Sequence, residues 1–381
     1  MINSLEALPT RILKILSGFV TLSGLDSERH IISEIADRLT RDSAEACERN
    51  SSQRLSTLTA DGVPVEFSMS LSKAGSNSLR YACDVGNLQS SIRDRLAAGD
   101  YEAKSLFDRF AIKDAYNIHS RAIGKLFGIG RSISPNCRFA LWHGLEHAPG
   151  QHVKIKLYYN LKPCGVDNPP RVAEVLRCCM SSLPETTERF LRTMSDTWSD
   201  PVILGLEFSP DRPAKAKVYF WPKRSVSFSE IRMLLNLFGL NSANSEIEHA
   251  LHHICGSSQN LKERSFLFYL PVEMSNTPSI DMYLVLRNYI PSDFAISNRL
   301  TALFKQTGLD RLYRSALDQV TFGILSSQRV SAHTLLGIHC SQSEVRPKCY
   351  FKPEKIQIGL ADEDDRITKG RREDIRRNSG T

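Results

Sequence analysis

Two stretches of this chain place lysine and tyrosine on alternate residues: HVKIKLYYN at 152–160 and AKAKVYFWP at 214–222. In a β-strand, residues two apart share a face, so Lys154, Lys156 and Tyr158 point one way and Val153, Ile155 and Leu157 the other. Lys215, Lys217 and Tyr219 repeat the arrangement against Ala216 and Val218. Ammonium and phenol groups on one face are charge-assisted donors suited to a polyanion. One such strand is only amphipathic; its repetition asks for chemistry.

Weaker copies lie in SLRYACDVG around Tyr81, IDMYLVLRNY around Tyr283 and PKCYFKP around Tyr350, giving five units roughly 60–80 residues apart. Each follows a second strand-like run: VPVEFSMSL from Val63, RFALW from Arg138, PVILGLEFS from Pro201, RSFLFYLPV from Arg264 and HTLLGIH from His333. Five hairpins result. Segments 87–127, 172–195, 227–253 and 298–316 carry helical spacing, as in the stripe of Ile231, Leu234, Leu235 and Phe238. These elements predict an α+β fold: an antiparallel sheet of about ten strands closed into a barrel, which removes its edges, with helices around it. The aliphatic face then packs on the helices and the lysine and tyrosine face lines the lumen. Lysines facing one another there repel and resist desolvation unless an anion joins them, so the expected ligand is polyanionic.

Composition sets the bounds. The 381 residues are 41% hydrophobic and 24% charged, with net charge +7, enough for a sizeable core and compatible with nucleic acid, a membrane surface or a phosphorylated ligand. Nine cysteines without CxxC spacing suggest neither a disulfide framework nor a zinc ribbon, and fit a reducing cytoplasm. Arg11 and Lys14 interrupt LPTRILKILSGFVTLSGL at 8–25, so neither a signal peptide nor a membrane span is read there. Residues 1–360 read as one domain, and the polar stretch 361–381 as a charged, disordered tail.

The ordered set PVEFSMSL, SLRYACDVG, KIKLYY, KAKVYFWP, DMYLV and RPKCYFKP resembles the aromatic prenyltransferases of the antiparallel-barrel type, and more narrowly the bacterial relatives of the dimethylallyltryptophan synthases, over roughly residues 51–353. That resemblance implies five helix-helix-strand-strand units around a barrel. It implies an enzyme that moves a dimethylallyl or geranyl group from an allylic diphosphate to an indole such as tryptophan or an indole-containing peptide or alkaloid. By the same match Arg80, Lys156, Lys215, Lys217, Lys348 and Arg346 bind the diphosphate, while Tyr158, Tyr219, Tyr283 and Tyr350 shield the allylic cation. Lys154 joins the first set by strand parity. Glu66 matches the glutamate that accepts the indole N–H, and parity turns it to the lumen, although a charge-balancing ion pair is the alternative there. Asp281 stands where the family usually has glutamine and would oppose a diphosphate unless paired, Arg287 being the candidate partner. His143 lies about where some members carry a basic residue that takes the final proton; whether it or Trp142 enters the lumen is open at this point.

In this reading a cage of Lys, Arg and Tyr donors stabilises the leaving diphosphate without a required cofactor, magnesium included, and the protein works as a cytoplasmic monomer without nucleic-acid or membrane partners. Two rivals remain. HGLEH at 143–147 matches a zinc-hydrolase pattern of His143, Glu146 and His147, but it needs a helix and here follows a strand-like run and meets Pro149 and Gly150. Lysines and tyrosines could instead grip single-stranded nucleic acid in an open groove. DEDDR at 362–366 sits in the polar tail and reads as a solvated charge run.

Overall fold

The computed structural model describes residues 6–354 apart from 51–52, 71–76, 129–132, 134–136, 138, 163–168, 181–182, 184, 198, 257, 272–278, 323–331 and 343–344. The tail at 361–381 therefore lies outside the described residues. Two helices open the chain, α1 (Leu8–Leu22) and α2 (Arg29–Arg49), followed by β1 (Val65–Ser70) and β2 (Ser78–Asp84). The pattern repeats with α3 (Ile92–Arg109), α4 (Ala115–Phe127), β3 (Leu141–His147) and β4 (Lys154–Asn160), then α5 (Pro169–Cys179), α6 (Glu185–Thr197), β5 (Ser199–Ser209) and β6 (Arg212–Pro222). A short ribbon of β7 (Val226–Ser227) and β8 (Asn260–Leu261) flanks α7 (Phe228–Leu237) and α8 (Asn244–Cys255) before β9 (Phe266–Pro271) and β10 (Ser279–Val285). The last unit is α9 (Asp293–Gln306), α10 (Asp310–Thr321), β11 (His333–Ser341) and β12 (Val345–Phe351).

Ten strands close in the order β1-β12-β11-β10-β9-β6-β5-β4-β3-β2, each neighbour antiparallel. The expected architecture is present, with the helical segments resolved into pairs. Segments 227–253 and 298–316 break where Gly239 and Gly308 adopt φ of 68°, a conformation that ends a helix cheaply only at glycine. Helix α7 starts on a capping box, Ser227 accepting from the Glu230 N–H while the Glu230 carboxylate accepts from the Ser227 N–H. Its stripe of Ile231, Leu234 and Leu235 is buried.

The apolar core lies between barrel and helices. Ile155, Leu157, Leu204, Val218, Phe67 and Phe351 face outward from the sheet and are at most 1% exposed. Phe19 of α1 stacks on Phe67 and lies beside Phe351, with ring centroids 5.8 and 6.0 Å away. One boundary differs from the sequence reading. The strand expected at RFALW starts later, and HGLEH is itself the body of β3, hydrogen-bonded to β2 and β4. Its polar residues are no obstacle to a strand because one barrel face is polar. Among the described residues no helix is long and apolar enough to cross a membrane.

Candidate active site

Strand parity sorts the lumen into three tiers. At the end where β4 begins and β3 finishes lie Arg80, Glu146, Lys154, Lys156, Glu207, Lys217, Asp281, His339 and Lys348, ordered by cross-strand registers such as Lys154↔Glu146, Lys156↔Glu207 and Asp281↔His339. Tyrosines form the middle tier. Glu66, Trp142, Trp221 and Thr334 lie beyond them. A cavity of about 600 Å³ extends from Arg80, Lys156 and Lys217 past the tyrosines to Glu66.

The charged tier is neutralised from within. Glu146 ion-pairs with Arg80 (2.7 Å), Lys154 (2.7 Å) and Lys156 (2.5 Å). Glu207 meets Lys217 (3.2 Å), Arg212 (3.0 Å) and Lys156 (3.5 Å). Burial would raise the Glu146 carboxyl, but Lys156, Arg80 and Lys154 override it and hold it well below the ordinary range; Glu207 is lowered in the same way by Lys156 and Lys217. The carboxylates of neighbouring strands thus answer the lysine repulsion in the protein itself. Neither was assigned to the site from sequence: Glu146 entered only with the zinc pattern and Glu207 not at all. The signal was available, because GLE recurs at 144–146 and 205–207, with GIH at 337–339 in the matching strand.

Asp281 is also paired, but not with Arg287. It accepts from Lys348 Nζ and His339 Nδ1, each at 3.0 Å, whereas Arg287 lies past the end of β10 and bonds Asp293 at 2.8 Å. Lys348 is lowered to about 8, by burial first, with Asp281 opposing. Lys215 faces the lumen side by parity but is exposed near the start of β6, outside the cavity lining. Arg346 lies on the lumen side of β12, opposite His339.

The tyrosine tier holds Tyr158, Tyr219, Tyr283 and Tyr350 as expected, and adds Tyr269 from β9. Centroid distances run 6.0 Å for Tyr158–Tyr219, 5.2 Å for Tyr219–Tyr269, 6.1 Å for Tyr269–Tyr283 and 5.6 Å for Tyr283–Tyr350. Glycines let the rings lie against the sheet. A Cβ on Gly337 would come within 3.0 Å of Tyr350 and 3.3 Å of Tyr283, and one on Gly205 within 3.1 Å of Tyr219. Lys217 Nζ lies 4.8 Å from the Tyr269 ring centroid, so charged and aromatic tiers touch.

Glu66 stands apart from the other lumenal acids. It is 8% exposed and has no ion pair among the described residues. Burial raises it to about 7, with the Thr334 hydroxyl pulling the other way. Trp142, not His143, enters the lumen. His143 faces the helices, fully buried, with Nε2 2.9 Å from the Gly99 carbonyl of α3, and burial lowers it to about 3. Strand parity is the reason: His143 pairs across with Cys83 and Leu157, both on the outward face. It cannot serve as a base in the cavity. His147 shares that outward face and Glu146 the opposite one, so the HGLEH residues do not converge, and no metal-binding cluster occurs among the described residues.

The family model described as tryptophan dimethylallyltransferase matches residues 29–319. No curated protein sequence matches. Among solved structures, the chain is similar to the 5-dimethylallyl tryptophan synthase from Streptomyces coelicolor in complex with DMASPP and Trp, at 18% identity and TM-score 0.74, covering 94% of this chain and 99% of that one. The 6-dimethylallyltryptophan synthase from Micromonospora olivasterospora, also with DMASPP and Trp, gives 16% identity, TM-score 0.77 and coverage of 93% and 99%. The prenyltransferase PriB in complex with product diphosphate gives 18%, 0.75, and 92% and 97%.

Proposed function

The chain belongs to the tryptophan dimethylallyltransferase family, and from that premise we propose how its barrel works as an indole prenyltransferase. The donor, an allylic diphosphate such as dimethylallyl or geranyl diphosphate, sets its diphosphate among Arg80, Lys154, Lys156, Lys217 and Lys348. Those groups exchange carboxylate partners for phosphate oxygens. The allylic C–O bond breaks, its electron pair leaves with the diphosphate, and the cations stabilise the charge as it develops. The allyl cation then lies among Tyr158, Tyr219, Tyr269, Tyr283 and Tyr350, whose ring faces attract it by about 0.5–2 kcal/mol each and keep water away. The indole attacks from the far side, its N–H donating to Glu66, and a ring proton is lost afterwards.

The observation that carries this reading is the order of the tiers: paired cations, then tyrosines, then a buried carboxylate without an ion pair among the described residues. The cation tier supplies the electrostatic role that a metal would otherwise fill, so turnover should persist with a chelator present. Lys215 and Arg346 belong to the rim of the cation tier. The test is to incubate the pure protein with dimethylallyl and geranyl diphosphates against free tryptophan, indole dipeptides and other indoles, with and without EDTA, and to read products by mass spectrometry. Prenylated indole in both arms is expected. Absence of product from every pairing would overturn the reading, and loss in EDTA restored only by magnesium would overturn its metal-independent form.

A further inference from the structure

Beyond the tyrosines, the cavity is lined by two groups of opposite hydrogen-bonding character. Glu66 on β1 offers carboxylate oxygens that accept, and Trp221 on β6 offers an indole N–H that can only donate. The closed strand order separates β1 from β6 by four strands on each side, β12, β11, β10 and β9 one way and β2, β3, β4 and β5 the other. The two side chains therefore stand on opposite walls of one tier. Trp221 Nε1 is buried and has no hydrogen-bond partner among the described residues. A buried N–H left unpaired is costly, and a ligand oxygen placed against it removes that cost.

The wall around Trp221 is apolar. Ile203 of β5 lines the lumen opposite Tyr219, and Leu267 of β9 takes the register position facing Trp221, one step beyond the Phe220↔Phe268 pair. Val285 of β10 extends the same wall. The cations that line this end are held by acids or lie in solvent. Lys352 pairs with Asp61, and Arg287 bonds Asp293 at 2.8 Å. Arg54 and Arg264 are exposed, the latter beside Glu263 at 3.3 Å. A carboxylate set against Trp221 would exchange its hydration for aliphatic side chains and one neutral donor, and an exposed arginine at the mouth would offset little of that loss. A neutral amide carbonyl has less hydration to lose and is satisfied by the single N–H.

We infer that the acceptor is an indole whose side chain carries a neutral amide carbonyl, as in a peptide-bonded or cyclised tryptophan, and that Trp221 is the specificity residue that donates to this carbonyl. The inference rests on the proposed function, because it takes the indole N–H to lie on Glu66. The acceptor then spans the lumen, donating at one end and accepting at the other. Free tryptophan, whose carboxylate would lie against Ile203 and Leu267, is the poorer substrate. Trp221 holds the carbonyl in the ground state and the transition state alike, so its effect belongs in KM more than in kcat.

The test measures kcat and KM with dimethylallyl diphosphate as donor and four acceptors: L-tryptophan, N-acetyl-L-tryptophanamide, the cyclic dipeptide of glycine and tryptophan, and 3-methylindole, which has no carbonyl. Wild type should favour both amides over free tryptophan by about tenfold or more in kcat/KM. Trp221→Phe keeps an aromatic ring and removes the N–H, so the ratio of kcat/KM for either amide to that for 3-methylindole should fall about tenfold, mostly through KM. A merely structural role would lower all four acceptors together and leave that ratio unmoved, which would overturn the inference. Wild-type kcat/KM for free tryptophan equal to or above that for both amides would overturn it as well, and either result leaves the prenyltransferase reading standing. Should Trp221→Phe not fold by circular dichroism, the wild-type order of acceptors decides alone. Absence of prenylated product from all four would remove the proposed function and the inference together.

Discussion

Glu66→Gln tests the acceptor half of the cavity most sharply. Glutamine keeps the shape and one acceptor oxygen but removes the charge. A hydrogen bond to a charged group exceeds a neutral one by about 1–2 kcal/mol, and the excess grows as positive charge spreads onto the indole nitrogen in the transition state. A loss of about 2 kcal/mol corresponds to a roughly thirtyfold fall in kcat/KM for the indole. Donor affinity should scarcely change, because the tyrosine tier separates Glu66 from the cations. The wild-type pH profile supplies an independent reading. Glu66 is raised to about 7, and only its ionised form stabilises the cationic ring, so this limb of kcat/KM should climb with pH and level off above that value. At pH 6 roughly one-tenth of the protein is competent in this respect. The variant should lose the limb altogether. Stability gives the opposite sign: a carboxyl raised from 4.5 to about 7 in the native state favours folding below 4.5 and loses that contribution as pH rises to about 7. Wild type should lose thermal stability across that window relative to Glu66→Gln. Stopped-assay kinetics from pH 5 to 9, with donor affinity by calorimetry and melting by scanning fluorimetry, make all three checks. Equal losses in donor binding and turnover would make Glu66 part of the cation network, and unchanged turnover with an intact acidic limb would end its role as the indole anchor.

Other outcomes follow from the same geometry. Lys217→Ala removes a charged contact worth about 1.5–3 kcal/mol, so kcat/KM for the donor should fall roughly ten- to hundredfold, while Lys156 and Arg212 still compensate Glu207; an unchanged value would exclude Lys217 from the cage. Gly337→Ala drives a methyl against Tyr350 and Tyr283 and should cost about 1 kcal/mol of stability, with more donor hydrolysed to free alcohol per prenylated product; an unaltered partition would show that these rings do not exclude water. His143→Ala opens a cavity under α3 and removes the contact to the Gly99 carbonyl, so it should lower stability by about 2–4 kcal/mol while kcat per folded molecule stays within about threefold; a collapse of kcat in folded protein would return His143 to the chemistry.

Parity was the most legible signal in the chain, since alternation of lysine and tyrosine against aliphatics fixes which face meets the helices before any strand is paired. It failed where both faces are similar. In FLFYLP, Tyr269 could not be assigned because Phe266, Leu267 and Phe268 offer no polar alternation. At β3 the opposite difficulty arose: HGLEH looks too polar for a buried strand until the lumen is known to be polar. The hairpins were legible, but side-chain pairing across the lumen was not, since Asp281 and Lys348 are 67 residues apart and meet only through the register of three strands. The same registers explain why Glu146, Glu207 and Asp281 are engaged while Glu66 has no ion pair among the described residues. Opposite Glu146 lie Arg80 and Lys154, and opposite Glu207 lie Lys156 and Lys215. Opposite Asp281 lie Tyr269 and His339. Opposite Glu66 on β2 is Ala82, and the cation just beyond the end of β12, Lys352, is held by Asp61. Cross-strand neighbours thus leave Glu66 without a counter-ion among the described residues, and in the proposed reading that is what would let an indole N–H become its partner.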